Sequence, residues 1–101
     1  MFSVDSQILV EKAIKAEFQN AVETYGKNYN SQHEGYAVLK EEVEEAENEM
    51  KNILSDLNEL WQKIKNNDKD IKSLLDIIRG TAFFLALEAA QIGAVADKMN
   101  N

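Results

Sequence analysis

The sequence contains no cysteine and no proline, and glycine occurs only four times. Without thiols the chain has no disulfide, no thiolate metal site and no cysteine nucleophile. Proline and glycine are the residues that most disfavour a helix interior, and the alternating pattern of a β-strand is also missing. These absences predict an all-α chain, and 101 residues fit a single domain spanning positions 1 to 101.

Basic residues are scarce, because 11 lysines and arginines face 18 aspartates and glutamates and leave a net charge of −7. Binding to a nucleic-acid duplex needs clustered positive charge, so that function is not expected. The amino terminus has no basic opening followed by an apolar run, which indicates a cytoplasmic protein. The most apolar segment, residues 81 to 96, is shorter than the ~20 residues of a bilayer span, so no membrane contact is expected.

Start and stop signals divide the chain into three helices. A capping box formed by Ser31 and Glu34 is the clearest start signal, and Gly26 is placed to end the preceding helix. The predicted helices run from an N-cap at Asp5 or Ser6 to Tyr25, from Ser31 to about Lys65, and onward from an N-cap at Asp68. The inward face of the first helix is predicted to contain Val10, Ile14, Phe18, Ala21 and Tyr25.

The second and third predicted helices each carry a long apolar seam, in which apolar residues recur at alternating spacings of three and four. The second helix carries Tyr36, Leu39, Val43, Ala46, Met50, Ile53, Leu57, Leu60 and Ile64. The third carries Ile71, Leu75, Ile78, Ala82, Leu85, Ala89, Ile92, Ala96 and Met99. The seams predict a three-helix antiparallel bundle with two long helices. Because Phe83 and Phe84 make the third helix apolar nearly all round, we expect a homodimer or homotetramer to complete the core.

Six glutamates lie between positions 41 and 49 of the second helix. Helical spacing pairs Glu44 with Lys40 and Glu47 with Lys51, but it offers no basic partner to the other four. These are Glu41, Glu42, Glu45 and Glu49. Carboxylates this dense either form a solvated acidic face or share a hard cation such as Mg²⁺ or Mn²⁺.

Glu88 lies inside an apolar stretch of the third helix, where an ionised group is costly unless something satisfies it. If the second and third helices turn back near residue 67, Glu88 lies level with position 46, beside Glu42, Glu45 and Glu49. It then joins the same cation site, with Gln91 as a neutral hydrogen-bonding neighbour. The alternative is a core hydrogen bond from Glu88 to a tyrosine, a lysine or the backbone.

Three segments resemble small phage and bacterial proteins of the MazG-like group, which belongs to the all-α nucleoside triphosphate pyrophosphohydrolases. They are the run from His33 to Glu45, the triplet Glu59-Leu60-Trp61, and the run from Glu88 to Ala96. The resemblance covers roughly residues 33 to 99. It implies that a nucleoside triphosphate is converted to a nucleoside monophosphate and pyrophosphate, with Mg²⁺ binding the triphosphate and activating a water.

The resemblance also implies which residues hold the metal. Glu41, Glu42 and Glu45 match a Glu-Glu-x-x-Glu element, and Glu88 matches the glutamate of a later Glu-x-x-Asp element. Gln91 stands where that element has its aspartate, so one carboxylate is missing and a weakened activity is one expectation. The competing hypothesis is a non-enzymatic helical-bundle interaction protein, an adaptor or a phage-encoded inhibitor, whose acidic face binds a basic partner.

Overall fold

The computed structural model describes all 101 residues and contains three α-helices and no β-strand. They are α1 (Val4–Tyr25), α2 (Gln32–Lys65) and α3 (Lys72–Met99). α2 and α3 form a long hairpin, α1 packs against α3, and the molecule measures 55 × 30 × 23 Å. The all-α class predicted from the sequence is therefore confirmed. None of the three helices combines the length and apolar composition that a membrane span requires.

The N-caps of the first two helices are serines. In α2 the Ser31 hydroxyl accepts a hydrogen bond from the Glu34 amide at 3.1 Å, as the capping box predicts. The Glu34 carboxylate reaches Asn30, rather than the backbone of Ser31. In α1 the N-cap is Ser3, whose hydroxyl accepts from the Ser6 amide, so the predicted start at Asp5 or Ser6 was wrong by two or three residues.

The start predicted for α3 was also wrong, because Asp68 is used in the turn that precedes the helix. Its carboxylate accepts hydrogen bonds from the Asp70 amide at 2.9 Å and from Lys63 Nζ at 3.3 Å. Both interactions lower the pKa of Asp68. Asn67 supplies the positive φ of 55° that reverses the chain, and α3 begins only at Lys72.

α2 and α3 run antiparallel and approach each other closely at their open end. A Cβ added at Gly35, near the start of α2, would lie 2.9 Å from Met99 Cγ at the end of α3. Glycine at this position therefore makes room for the methionine side chain. The contact fixes the register of the hairpin, since it pairs positions that lie equally far from the turn at residue 67.

The two predicted seams are only partly covered. α3 covers one side of the α2 seam, including Leu39, Ala46, Ile53 and Leu60. The other side remains exposed at intervals of seven residues: Tyr36, Val43, Met50, Leu57 and Ile64. The buried apolar residues are Leu74, Ala90, Ala94 and Val95. The α2 seam is wide enough to pack against two helices, but in the single chain only α3 packs against it. The hydrophobic core of the single chain is therefore small.

α1 is anchored only through its second half. Ile14, Phe18 and Ala21 are half-buried as predicted, and Ile14 lies so close to α3 that a Cβ at Gly93 would come within 3.2 Å of it. The predicted inward residues Val10 and Tyr25 are mostly exposed. Residues 1 to 12 are all exposed, so the first half of α1 buries no apolar surface against α2 or α3.

Candidate functional site

Three carboxylates meet where α2 and α3 face each other. Glu42 and Glu45 lie one turn apart on the inner side of α2, and the hairpin register brings Glu88 of α3 to the same level. One carboxylate oxygen from each of the three lies within 4.8 Å of the others. The register that the sequence predicted for Glu88 is therefore the observed one, and this group is called the carboxylate triad below.

Glu41 is the fourth residue for which a metal-binding role was predicted, and it does not belong to the triad. Its side chain is exposed and borders a cavity next to Glu42. Glu49 also lies outside the triad, one turn beyond Glu45, although its charge reaches Glu88. The two predicted ion pairs, Lys40 with Glu44 at 3.8 Å and Lys51 with Glu47 at 3.6 Å, are present on the solvent side of α2.

Two members of the triad, Glu42 and Glu88, have raised pKa values in the folded chain. Burial, followed by the charges of Glu45, Glu88 and Glu41, raises the pKa of Glu42 from 4.5 to about 7. Burial and a hydrogen bond to Glu45 raise the pKa of Glu88 as well. Near neutral pH Glu42 is therefore partly protonated, and a divalent cation bound there would compete with that proton.

Gln91 is the hydrogen-bond donor of the site. In the amide orientation that satisfies its neighbours, its side-chain nitrogen lies 2.9 Å from Oε2 of Glu42 and 3.2 Å from Oε2 of Glu88. The amide thus links the two helices across the triad and supplies partial positive charge to two carboxylates. The sequence predicted a neutral hydrogen-bonding neighbour of Glu88, and the structure adds the second bond to Glu42.

A cavity of about 530 Å³ opens beside the triad, between α1 and α2, with α3 as its floor. Four glutamates border it, two of them from the predicted acidic cluster: Glu17, Glu34, Glu41 and Glu42. Tyr25 and Tyr29 contribute aromatic surface, and Gln91 lies on the floor. The volume falls within the range of about 300 to 1,000 Å³ that small-molecule sites occupy.

Lys98 is the residue of this region that the sequence did not reveal. Its side chain is only 2 % exposed, and its ammonium group lies 4.2 Å from the ring centre of Tyr29 and 5.8 Å from that of Tyr25. It lies seven residues after Gln91, and therefore on the same face of α3 two turns later. That spacing was the available signal, but a lysine in the last turn of a helix is ordinarily a solvated residue.

Comparison with known proteins returned no match of significance among family models, curated protein sequences or solved structures. The functional assignment must therefore be argued from the triad and the cavity themselves.

Proposed function

We propose that the protein is a Mg²⁺-dependent nucleoside triphosphate pyrophosphohydrolase of the MazG-like kind, which converts a nucleoside triphosphate to the monophosphate and pyrophosphate. The observation that carries this proposal is the carboxylate triad, one member of which, Glu42, borders a cavity of about 530 Å³. Three carboxylate oxygens within 4.8 Å, drawn from two facing helices, are the donor type that Mg²⁺ and Mn²⁺ prefer.

The acidic residues of the site have two roles in this proposal. Glu42, Glu45 and Glu88 hold the divalent cation, and Glu41 adds negative charge at the mouth of the cavity. A bound Mg²⁺ supplies charge neutralisation for the triphosphate and activation of a water nucleophile. The chain itself then needs to supply no covalent nucleophile.

The raised pKa of Glu42 makes metal binding dependent on pH. Because the pKa of Glu42 is about 7, part of the population carries a proton on this group at neutral pH, and that proton must leave before the cation is fully coordinated. We therefore expect affinity for Mg²⁺ and Mn²⁺ to rise between pH 6 and pH 8, within about a unit of that pKa.

The decisive experiment measures pyrophosphate release from a panel of ribo- and deoxyribonucleoside triphosphates, with Mg²⁺ or Mn²⁺ and with EDTA as the metal-free control. We expect release that depends on the divalent cation and increases from pH 6 to pH 8 as Glu42 loses its proton. The panel also ranks base and sugar preference. Absence of release with both cations across the whole panel would contradict the proposal.

A non-enzymatic interaction protein is the second candidate, and the absence of the expected aspartate at Gln91 favours it. In that case the glutamates form a solvated face that binds a basic partner. Thermal unfolding separates the two functions, because a ligand that binds only the folded state raises the melting temperature. A metal site predicts stabilisation by Mn²⁺ well beyond that given by NaCl of equal ionic strength, whereas a solvated face predicts equal effects.

We also propose that the working form is a homo-oligomer, a homodimer or a homotetramer. The heptad spacing of the exposed α2 stripe is typical of helices that pack against another helix. α3 exposes a second apolar face, at Ile77, Phe83, Phe84 and Leu87. With only four apolar residues buried, one chain has little core of its own, and a second copy offers matching apolar surface.

Substitution of Phe84 by glutamate tests the oligomer. Phe84 is 57 % exposed in the single chain, so the change removes little from its internal packing but places a charge in the proposed interface. We expect wild type to elute as a multiple of 11.4 kDa in size-exclusion chromatography with light scattering, and Phe84→Glu to shift toward the monomer. Asn52→Glu adds the same charge on the polar side of α2 and should leave the mass unchanged. A monomeric wild type would refute the oligomer.

A further inference from the structure

Lys98 has an unusual environment for a buried cation. The residue is almost completely buried, yet its ammonium group forms no salt bridge and no side-chain hydrogen bond and lies against the rings of Tyr29 and Tyr25. A buried ammonium normally has a carboxylate or several hydrogen-bond acceptors, because leaving water is costly for a charge. The interaction with two aromatic rings offsets only part of that cost. The ammonium group of Lys98 therefore has no carboxylate partner within the chain and can bind an anion.

A small cavity of about 260 Å³ lies next to this ammonium group. Its lining includes Lys98, Tyr29, Ser31 and Gln32, with Met99 at the end of α3 and Asn101 just beyond it, and no aspartate or glutamate side chain borders it. In this respect it differs from the larger cavity, which four glutamates border. An anion can approach Lys98 from this side without facing a carboxylate side chain.

The same small cavity lies at the amino-terminal end of α2. The Glu34 amide is bonded to the Ser31 hydroxyl and the Gly35 amide to the Ser31 carbonyl, but the amides of Gln32 and His33 have no acceptor within the chain. Free amides at a helix start carry partial positive charge and are a common binding site for phosphate groups. Gln32 and Lys98 line the same cavity, so a helix start and an ammonium group both bring positive charge to it.

We propose that Lys98 and the first turn of α2 form a phosphate-binding subsite that takes the pyrophosphate portion of the substrate. This assignment rests on the proposed function and extends it. Lys98 and Tyr29 border both cavities. When a phosphate group lies beside Lys98, the rest of the nucleotide can therefore extend into the larger cavity, which reaches Glu42 and Gln91. Lys98 lies about 10 Å along the α3 axis from Gln91, a distance that a nucleotide extended along the cavity can cover.

Inorganic pyrophosphate without any divalent cation is the direct probe. We expect it to shift the amide NMR resonances of Gln32 and His33 in wild type, and Lys98→Met to weaken its binding about tenfold through loss of a charge-assisted hydrogen bond. Lys98→Arg keeps the charge and should retain most of the affinity. Lys65→Met is the matched control, because Lys65 also lies over an aromatic ring, 5.7 Å from the centre of Trp61, but outside both cavities.

The outcomes separate this subsite from the proposed function. Equal pyrophosphate binding by wild type and Lys98→Met, or no binding by wild type, would overturn the subsite, whether or not nucleotides are hydrolysed. Binding that is lost in Lys98→Met, in a protein that releases no pyrophosphate from any nucleotide, would support the subsite and refute the enzyme. A lower melting temperature of Lys98→Met with unchanged affinity would show that Lys98 serves only the packing of Tyr25 and Tyr29.

Discussion

Replacement of Glu42 by glutamine is expected to stabilise the metal-free protein at pH 8 and to reduce metal-dependent pyrophosphate release by about 100-fold. The two effects have one origin. Glu42 is the member of the triad whose pKa is raised to about 7, so its ionised form is unfavourable in the folded chain, yet that form is the one that binds a cation. Glutamine removes the repulsion and the metal ligand together, and it can still accept a hydrogen bond from Gln91.

The sign of the pH dependence follows from the two pKa values of Glu42. Its pKa is 4.5 when unperturbed and about 7 in the folded chain, so the folded state binds more protons between these values. The free energy of unfolding of wild type therefore falls as pH rises from 4.5 to about 7, and stays lower above pH 7. Glu88, whose pKa is also raised, acts in the same direction.

Chemical denaturation at pH 4 and pH 8 measures this effect. Glu42→Gln should match wild type at pH 4 and exceed it by about 1 to 2 kcal/mol at pH 8, less than the full shift implies because Glu42 is partly solvated. Glu44→Gln is the control, since Glu44 is exposed and paired with Lys40. Mn²⁺ should stabilise wild type and Glu44→Gln but not Glu42→Gln. Equal stability of Glu42→Gln and wild type at pH 8 would show that the triad carries no unfavourable charge.

The sequence predicted where the acidic residues of α2 and α3 meet better than it predicted the helix ends. Apolar spacing and the capping box located α2, and the antiparallel register placed Glu88 level with Glu42 and Glu45, as observed. Register could be predicted because a short turn between two long helices leaves few alternatives. Asp68 and Ser3 were harder, since several polar residues near each helix start could have been the N-cap, and tertiary contacts such as Lys63 with Asp68 decided between them.

Two features of the site, the exclusion of Glu41 from the triad and the position of Lys98, depend on contacts that residue spacing along a helix does not predict. Glu41 was predicted as a ligand together with Glu42, but consecutive residues on a helix point about 100° apart, and α3 covers only the side of Glu42. Lys98 meets Tyr29, which lies in the connection between α1 and α2, and no helical periodicity predicts the path of that connection. Residue spacing thus predicted the register of the hairpin, but it did not separate Glu41 from Glu42 and did not locate the loop residue that meets Lys98.

Replacement of Gln91 by aspartate should have the opposite effect to the loss of Glu42. It supplies the carboxylate that the MazG-like pattern has at this position, and it removes the amide that donates to Glu42 and Glu88. We expect the metal-free variant to be less stable than wild type at pH 8, because a fourth carboxylate joins the triad and a donor is lost. We expect Mn²⁺ to bind roughly 30-fold more tightly, and pyrophosphate release to increase with it.

Titration calorimetry measures the Mn²⁺ affinity of the variant. Thermal unfolding with and without the cation measures its stability. Gln62→Asp is the matched control, since it makes the same substitution at an exposed helical position of α2 outside the triad. A stronger Mn²⁺ site in Gln91→Asp with no gain in pyrophosphate release would mean that the cation is structural. Unchanged Mn²⁺ affinity would contradict the triad as a metal site, because an added carboxylate next to Glu42 and Glu88 increases the negative charge around a cation bound there.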